Sequence, residues 1–509
     1  MAGLKNADNF AKGESFNPGL LKWLLLMVGV GAAVLFFIIY AATGGVAEGE
    51  DLPSVFHRGM SYSWLFAVVY FMTLAVGGIF WTLLHHATNS GWGTVIRRLM
   101  ENLGSVVLVM FIVALPLLTP GFRDALWEWF PLRAEVLQES KEHAEHEIDA
   151  YRADLAKRKE AAEKTLERIK TENQEALATA TENQRLYLQK EVIVAQEQLD
   201  EVLGEIGSDE EMKEHLATEH FKHTNTLLYK KKGYLNEGFW YFRFFFYAVG
   251  LGGIIFFLRF WSIKQDQTGD PKYYRRMRRA ACGFLPLFAT AWTFLVFDWL
   301  MALDYQWFST MWGVYLFAGA ALNSMAFLIL LLTALRAKGY LKEVVTMEHY
   351  HLMGKLLLAF TIFWAYIAFS QFFLIWYANI TEETKFYLTR NTAYWNTHAI
   401  LFLVIGHFFV PFVILLIQGL KKKPVVICAI AAWTLLMHFC DIYWIIIPER
   451  GPSLTAGTEY ILAKNFITDI IAWVAVAGFF GFGVLHFLGK GSIYPCRDPR
   501  LDESLNVVN

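Results

Sequence analysis

The chain has 509 residues, of which 55% are hydrophobic, 16% aromatic and only 18% charged. A soluble protein of this size needs more charge on its surface, so the composition excludes a soluble enzyme. The net charge of −2 gives no indication of nucleic-acid binding.

Ten apolar runs are long enough to cross a bilayer, which takes roughly 20 residues per helix. In lipid such runs must be helical, because no water satisfies their backbone polar groups. The first run, Leu20–Ala42, is expected to be a retained helix, since no small-residue cleavage site follows it. The predicted spans cover about residues 20–42, 60–86, 94–118, 236–262, 277–301, 308–335, 351–378, 393–419, 424–447 and 461–487.

Basic residues concentrate in alternate loops between these runs. By the positive-inside rule, this pattern predicts that both termini are cytoplasmic. The basic positions are Arg97 and Arg98 after the second span, Lys264–Arg279 between the fourth and fifth, Arg336–Lys342 after the sixth, Lys421–Lys423 after the eighth and Lys490–Arg500 after the tenth. The opposite loops carry Glu48, Glu50, Asp51, Asp304, Glu382, Glu383 and Glu449.

A charged insertion, residues 132–232, separates the third and fourth spans and holds 16 of the 45 Lys/Arg and 23 of the 47 Asp/Glu. It has no Gly or Pro from Ala134 to Leu203, which is strong helix composition. We expect a helical hairpin that turns near Thr171–Gln184 and projects on the outer side. It is interpreted either as a docking arm for a periplasmic partner or as a solvated insert.

The rest of the chain divides around this insertion. Residues 1–131 hold spans 1–3, residues 233–490 hold spans 4–10, and residues 491–509 form a predicted cytoplasmic tail. The four cysteines, Cys282, Cys428, Cys440 and Cys496, form no C-x-x-C pair and no haem-attachment motif. We therefore expect this chain to carry no covalent haem c, no iron–sulfur cluster and no metal.

Four long motifs carry a family resemblance: FDWLMALDYQWFSTMWGVY (297–315), GKLLLAFTIFWAYIAFSQFFLIWYANITEET (354–384), HFCDIYWIIIP (438–448) and YPCRDPRLDESL (494–505). Two weaker ones are GWGTVIRRLMENL (91–103) and GYLNEGFWYFRFFFY (233–247). Together they resemble an NrfD-like membrane subunit of bacterial alternative complex III, a quinol:cytochrome c oxidoreductase. The resemblance covers the ten spans and the tail but not the long insertion.

The resemblance implies an all-α polytopic membrane protein with two four-helix bundles and peripheral helices, in the bacterial cytoplasmic membrane. It implies a complex with a paralogous NrfD-like membrane subunit, a periplasmic iron–sulfur subunit and haem-c subunits. Quinol or menaquinol is oxidised in such complexes at the periplasmic side, and electrons pass to cytochrome c or an oxidase. Because the well-defined quinol site of the family lies in the paralogous partner, we expect this chain to be a structural and proton-conducting subunit.

Ionisable groups inside a membrane are costly and are therefore functional candidates. We predict that Asp298, Asp441 and Asp469 form an outer proton half-channel, since buried carboxyl groups can exchange protons. The alternative is that Asp298 and Asp441 are packing anchors that bond a neighbouring Trp or Tyr or pair with Arg243. Further candidates for the proton path are Lys355, His398, His407 and His438.

A second hypothesis is that this subunit itself binds and oxidises quinol. The fifth to seventh spans are rich in aromatic residues, and Trp299, Trp364 and Gln371 are candidates to face a quinone, although an interfacial aromatic belt explains the same pattern. A b haem is disfavoured, because His398 and His407 share a helix and His407 and His438 are expected at different depths.

A secondary transporter is a third hypothesis, and it expects matching broken helices in two halves of the chain, which the sequence does not show. The clusters Arg275–Arg279 and Lys421–Lys423 are interpreted as positive-inside anchors, with binding of anionic membrane lipids as an additional role.

Overall fold

The structure is a computed structural model and describes residues 5–43, 52–176, 181–450 and 459–508. Within these ranges it contains helices and no strand. The chain separates into two compact units, Met1–Glu128 with Gly238–Asn509, here called the membrane domain, and Trp129–Glu237, here called the arm. The predicted outer-loop acids Glu48, Glu50 and Asp51 lie outside the described residues.

Ten helices of the described part are long and apolar enough to cross a membrane, so the predicted all-α polytopic membrane fold is confirmed. Spans 1–10 are Leu21–Thr43, His57–Ala87, Thr94–Leu118, Glu237–Thr268, Pro271–Leu303, Trp312–Ala337, Met347–Ala378, Ala393–Leu416, Pro424–Arg450 and Phe466–Leu488.

Several spans are composite or extend beyond these bounds. The helix of span 2 begins at Leu52 and that of span 10 at Glu459. Span 3 consists of helices Thr94–Ser105 and Val107–Val113 and the 3-10 turn Leu115–Leu118. Span 5 consists of helix Pro271–Trp299 and the 3-10 turn Met301–Leu303. Span 9 consists of helix Pro424–Ile446 and the 3-10 turn Ile447–Arg450. Span 8 joins Ala393–His398, a π-helix at Ala399–Phe409, and Val410–Leu416. Short helices outside the spans are Ala7–Phe10, Pro120–Leu126, Thr381–Thr389, Gln418–Lys421 and Leu501–Leu505.

The spans pack as two four-helix bundles with a peripheral pair. Spans 6–9 form one bundle, in which spans 6 and 8 each pack on spans 7 and 9. Spans 2–5 form the other. Span 2 packs on spans 3 and 5, and side chains of span 4 contact both of these, Ser262 bonding to Glu101 and Arg243 to Asp298. Spans 1 and 10 pair with each other on the outside of this bundle. Span 2 joins the bundles by crossing span 6 so closely that a Cβ at Gly77 would collide with Ala320 O and Ser324 Oγ, which explains the glycine there.

The C-terminal segment is packed onto the membrane domain. Tyr494 Oη donates a hydrogen bond to Phe10 O (3.0 Å), and Ser504 Oγ donates one to Trp92 O (2.6 Å). Both chain ends therefore lie at one end of the membrane domain, as an even number of spans requires.

The arm is built on two helices that pack along each other, Trp129–Ala176 and Glu182–Glu205. Residues 177–180, within the predicted turn region Thr171–Gln184, lie outside the described residues. A third helix, Asp209–Thr224, packs on the long first helix, and a short helix, Thr226–Lys230, follows it.

The arm has a narrow apolar core. Val192, Ala195 and Leu199 recur at helical spacing and face Leu166 of the long helix. At the edge of this core Arg158 Nη1 donates to Glu205 Oε2 (2.7 Å), and this bond holds the pKa of Glu205 below its ordinary value. The contribution of the pair is therefore present at neutral pH and is lost as the pH falls through that lowered pKa.

We expect Leu199→Ala to destabilise the arm by about 2–3 kcal/mol, because Leu199 is buried against Leu166. The matched control is Leu186→Ala on the same helix, where the side chain is 63% exposed and the loss is within about 0.5 kcal/mol. Hydrogen exchange of the arm amides in the full chain measures both. Equal protection in the two variants would contradict this packing.

Candidate functional site

Asp441 lies at the centre of a buried cluster formed by four spans. Tyr315 Oη of span 6 donates to Asp441 Oδ1, and Trp364 Nε1 of span 7 donates to Asp441 Oδ2 (3.1 Å). On span 9 itself, His438 Nδ1 lies 4.0 Å from Asp441 Oδ2. Together with His407, these residues are here called the Asp441 cluster. Three of the four long motifs (297–315, 354–384 and 438–448) supply Tyr315, Trp364, His438 and Asp441.

Asp298 has different surroundings, although it is equally buried. Arg243 Nε and Nη2 donate to its two carboxylate oxygens at 2.7 and 2.8 Å, and Tyr247 Oη donates to Oδ2 at 2.6 Å. A bidentate guanidinium pair of this kind stabilises the ionised carboxylate. The geometry is that of the packing-anchor alternative, with Arg243 as the partner.

Asp469 is also paired with an arginine. Arg450 donates to both carboxylate oxygens, Ser63 Oγ donates to Oδ1 (2.6 Å), and Tyr443 Oη donates to Oδ2 (3.2 Å). Asp441 thus differs from both other candidates, since its hydrogen-bond donors among the described residues are neutral. No hydrogen bond in the described part of the chain joins the three carboxylates to one another.

The three histidine candidates lie where spans 8 and 9 meet, His398 and His407 on span 8 and His438 on span 9. His438 Nε2 lies 2.8 Å from Thr73 Oγ1 of span 2, and His398 Nε2 lies 2.9 Å from Cys440 O. The His407 ring packs on the Trp364 ring with centroids 4.0 Å apart, and neither of its nitrogens has a hydrogen-bond partner in the described structure. The His407 and His438 centroids are 6.5 Å apart, so the expectation of different depths is wrong.

The π-helix of span 8 brings His398 and His407 onto one side of the span. Nine positions separate His398 from His407, which is about two and a half turns of α-helix and would place them on opposite sides. In Ala399–Phe409 the backbone bonds run from residue i to i−5, so each residue turns less and both histidines face span 9. Pro411 has no N–H to continue this pattern, and Gly406 O instead accepts a bond from Trp433 Nε1 (2.8 Å).

A lateral cleft lies beside the Asp441 cluster. Its volume is about 1160 Å³, and its walls come mainly from spans 7 and 8 and from the helix Thr381–Thr389. Tyr315 and Trp364 form part of the lining, so the two donors to Asp441 also face this space. The lining is mostly apolar and includes Trp376, which is 65% exposed on the surface of span 7.

Two polar side chains are fixed at the edge of the cleft. Gln371 Oε1 accepts a bond from Ser309 Oγ (2.8 Å). Arg390 pairs with Glu449 (2.8 Å) and donates to Ile445 O (2.6 Å).

Two remaining candidates lie elsewhere. Trp299 stacks on Phe244, with centroids 5.7 Å apart, in the bundle of spans 2–5, and it is not part of the cleft lining. Lys355 is exposed on span 7, and no contact among the described residues joins it to Asp441.

A buried ion-pair network at the other end of the membrane domain was not predicted. Arg97 and Arg98 belong to the basic residues that follow the second span in the sequence, and both are buried in span 3. Arg98 pairs with Glu101 (3.0 Å) and Asp266 (2.6 Å), and Arg97 pairs with Asp498 of the C-terminal segment. In the sequence, this network is indicated locally by Glu101, which follows the two arginines by four and three residues, the spacing at which side chains of one helix can pair.

Neither a scan against models of protein families nor a search of curated proteins finds a match to this chain. We therefore infer the function from the geometry of the site and from the motifs that supply it.

We expect Asp298→Asn to destabilise the membrane domain by about 3–5 kcal/mol, because a neutral amide replaces the carboxylate that is paired with the buried Arg243. The double variant Asp298→Asn with Arg243→Gln removes both charges and should recover most of this loss. Thermal unfolding in detergent measures the two. A double variant that is less stable than the single one would contradict the charge-pair assignment.

Proposed function

We propose that this chain is an integral membrane subunit of a bacterial quinol:cytochrome c, or quinol:acceptor, oxidoreductase complex, and that the Asp441 cluster carries protons in it. The observation that supports the proposal is the meeting of three motifs. The segments that resemble the alternative complex III membrane protein supply Tyr315, Trp364 and Asp441, and these side chains are bonded to one another.

The proton role follows from the donors around Asp441. A buried carboxyl group without an arginine partner can exist as the neutral acid, so it can take up and release a proton. Beyond it, His438 and then Thr73 continue a line of exchangeable groups toward span 2. Asp298 and Asp469 are bonded to arginines, and we assign them to helix packing. Of the three carboxylates predicted to form the outer proton half-channel, we therefore keep Asp441 as the proton carrier.

The complex we propose contains a paralogous NrfD-like membrane subunit and periplasmic iron–sulfur and haem-c subunits, and it lies in the cytoplasmic membrane with both termini of this chain inside. This chain is then an auxiliary subunit of the oxidoreductase. The redox centres belong to the partner subunits and the electrons come from quinol or menaquinol.

Membership of the complex is tested by purifying the tagged chain from its native membrane in a mild detergent. We expect a c-type haem spectrum and iron–sulfur electron paramagnetic resonance signals in the purified material. A chain that purifies alone, without either signal, would overturn the proposal.

The proton role is tested in the same complex with Asp441→Asn, which keeps the shape of the side chain but cannot ionise. We expect quinol oxidation and proton release to fall together by about a hundredfold, the size of a typical proton-transfer contribution. The matched control is Thr82→Val, which removes a buried hydroxyl that, in the part of the chain that the structure describes, bonds to the carbonyl of Gly78 one turn earlier. Unchanged turnover and proton release in Asp441→Asn would exclude the role.

A second candidate function is supported by the lateral cleft. Its volume exceeds the roughly 300–1,000 Å³ of ordinary small-molecule pockets, and its apolar lining faces the lipid, where a quinol dissolves. A quinol head group in the cleft would meet the Tyr315 and Trp364 side chains beside the carboxyl group that accepts its proton. In that case this subunit itself oxidises quinol.

The cleft is tested with Ala368→Trp, which fills the lining position next to Phe369. We expect this variant to lose photolabelling by a quinone-azide probe, because the added indole occupies the space of the head group. Ala289→Trp, an exposed position on span 5, is the control that adds the same ring to the membrane surface. Equal labelling of the two variants would assign quinol binding to another subunit.

A further inference from the structure

Cations and aromatic rings from spans 4 and 5 converge where these two spans are joined. The Arg276 guanidinium lies 4.3 Å from the centroid of the Trp261 ring, and Lys264 Nζ lies 5.2 Å from the same ring. The Trp261 ring stacks on Tyr273, with centroids 5.3 Å apart. This basic-aromatic patch lies at the end of the membrane domain that carries the termini, since Arg497 Nη1 donates to Gln267 O (2.9 Å).

The patch has an excess of positive charge. In the part of the chain that the structure describes, no carboxylate forms an ion pair with Lys264 or Arg276. The nearby acids are engaged by other cations, because Asp270 pairs with Lys272 (2.8 Å) and Asp266 with the buried Arg98. Further exposed cations of the patch are Arg275, Arg278 and Arg279.

A strip of apolar surface, here called the groove, continues from the patch along the two spans and lacks side chains at two glycines. Phe257 and Phe284 meet edge to face between the spans, with centroids 5.4 Å apart. Gly253 lies one turn from Phe257, and Gly283 lies two turns from Arg276. A Cβ at either glycine would meet nothing within 4 Å, so both positions border open space.

We infer that the patch and the groove together bind one anionic phospholipid. Its phosphate contacts Lys264 and Arg276, and an acyl chain lies over Gly253 and Gly283. Guanidinium groups bind phosphate well and are weakly hydrated, and Trp and Tyr rings are suited to the depth of lipid head groups. A small free anion would use the cations alone, whereas the adjoining apolar groove requires a lipid.

The test is lipid retention by the chain with its co-purifying subunits, reconstituted in nanodiscs of equal parts phosphatidylglycerol and phosphatidylcholine. After detergent extraction, lipid mass spectrometry counts the bound molecules. We expect phosphatidylglycerol to be retained over phosphatidylcholine, and Lys264→Gln with Arg276→Gln to weaken its binding roughly ten- to thirtyfold. The matched control is Lys338→Gln with Lys342→Gln, which removes the same charge from exposed positions at the same end of the domain.

A second pair of variants separates a lipid groove from general surface attraction. Gly253→Leu with Gly283→Leu keeps every charge and fills the groove, and the open space at both positions allows the chain to fold normally. We expect it to lose retained phosphatidylglycerol as the charge variant does. Four results would each overturn the inference. The charge variant and its control could retain equal amounts of phosphatidylglycerol, or both lipids could be retained equally. The leucine variant could retain phosphatidylglycerol normally, or millimolar inorganic phosphate could displace the lipid.

Discussion

A carboxylate that is buried among membrane helices must either face a cation or be able to become neutral, because the lipid offers no water to stabilise its charge. In the membrane domain this constraint is met in two ways. Asp298 and Asp469 each accept bonds from a buried arginine and tie two parts of the chain together. Asp441 accepts bonds from a phenol and an indole instead, and on this difference we base the proposal that Asp441 exchanges protons whereas Asp298 and Asp469 hold helices together.

The same constraint connects the Asp441 cluster to its surroundings. Tyr315 and Trp364 fix the orientation of the carboxyl group and at the same time form a wall of the lateral cleft. A ligand that enters from the lipid and a proton that leaves through His438 would therefore meet at one carboxyl group. Proton conduction and quinol binding, the two functions we propose, would therefore use the same carboxyl group.

The ten spans could be predicted from hydropathy alone, since the length of each apolar run is set by the thickness of the bilayer. The pairing of Asp298 with Arg243 was foreseen as an alternative, because both residues lie in apolar runs where neither can remain alone. Other features depend on contacts that cannot be predicted from the spacing of residues in the sequence. The π-helix of span 8 changes which residues share a face, and a count at the α-helical period misplaces His407. Arg97 pairs with Asp498, which lies 401 residues later in the sequence.

That last contact has a consequence for the biogenesis of the protein. Spans 2 and 3 leave the ribosome early, and Arg97 enters the membrane domain with only Glu101 beside it. Asp498 is synthesised about 400 residues later and completes the charge balance at that position. The C-terminal segment, which is synthesised last, therefore supplies a counter-charge to a buried arginine of span 3. An incomplete nascent chain lacks this carboxylate, so the charge around its third span differs from that of the finished protein.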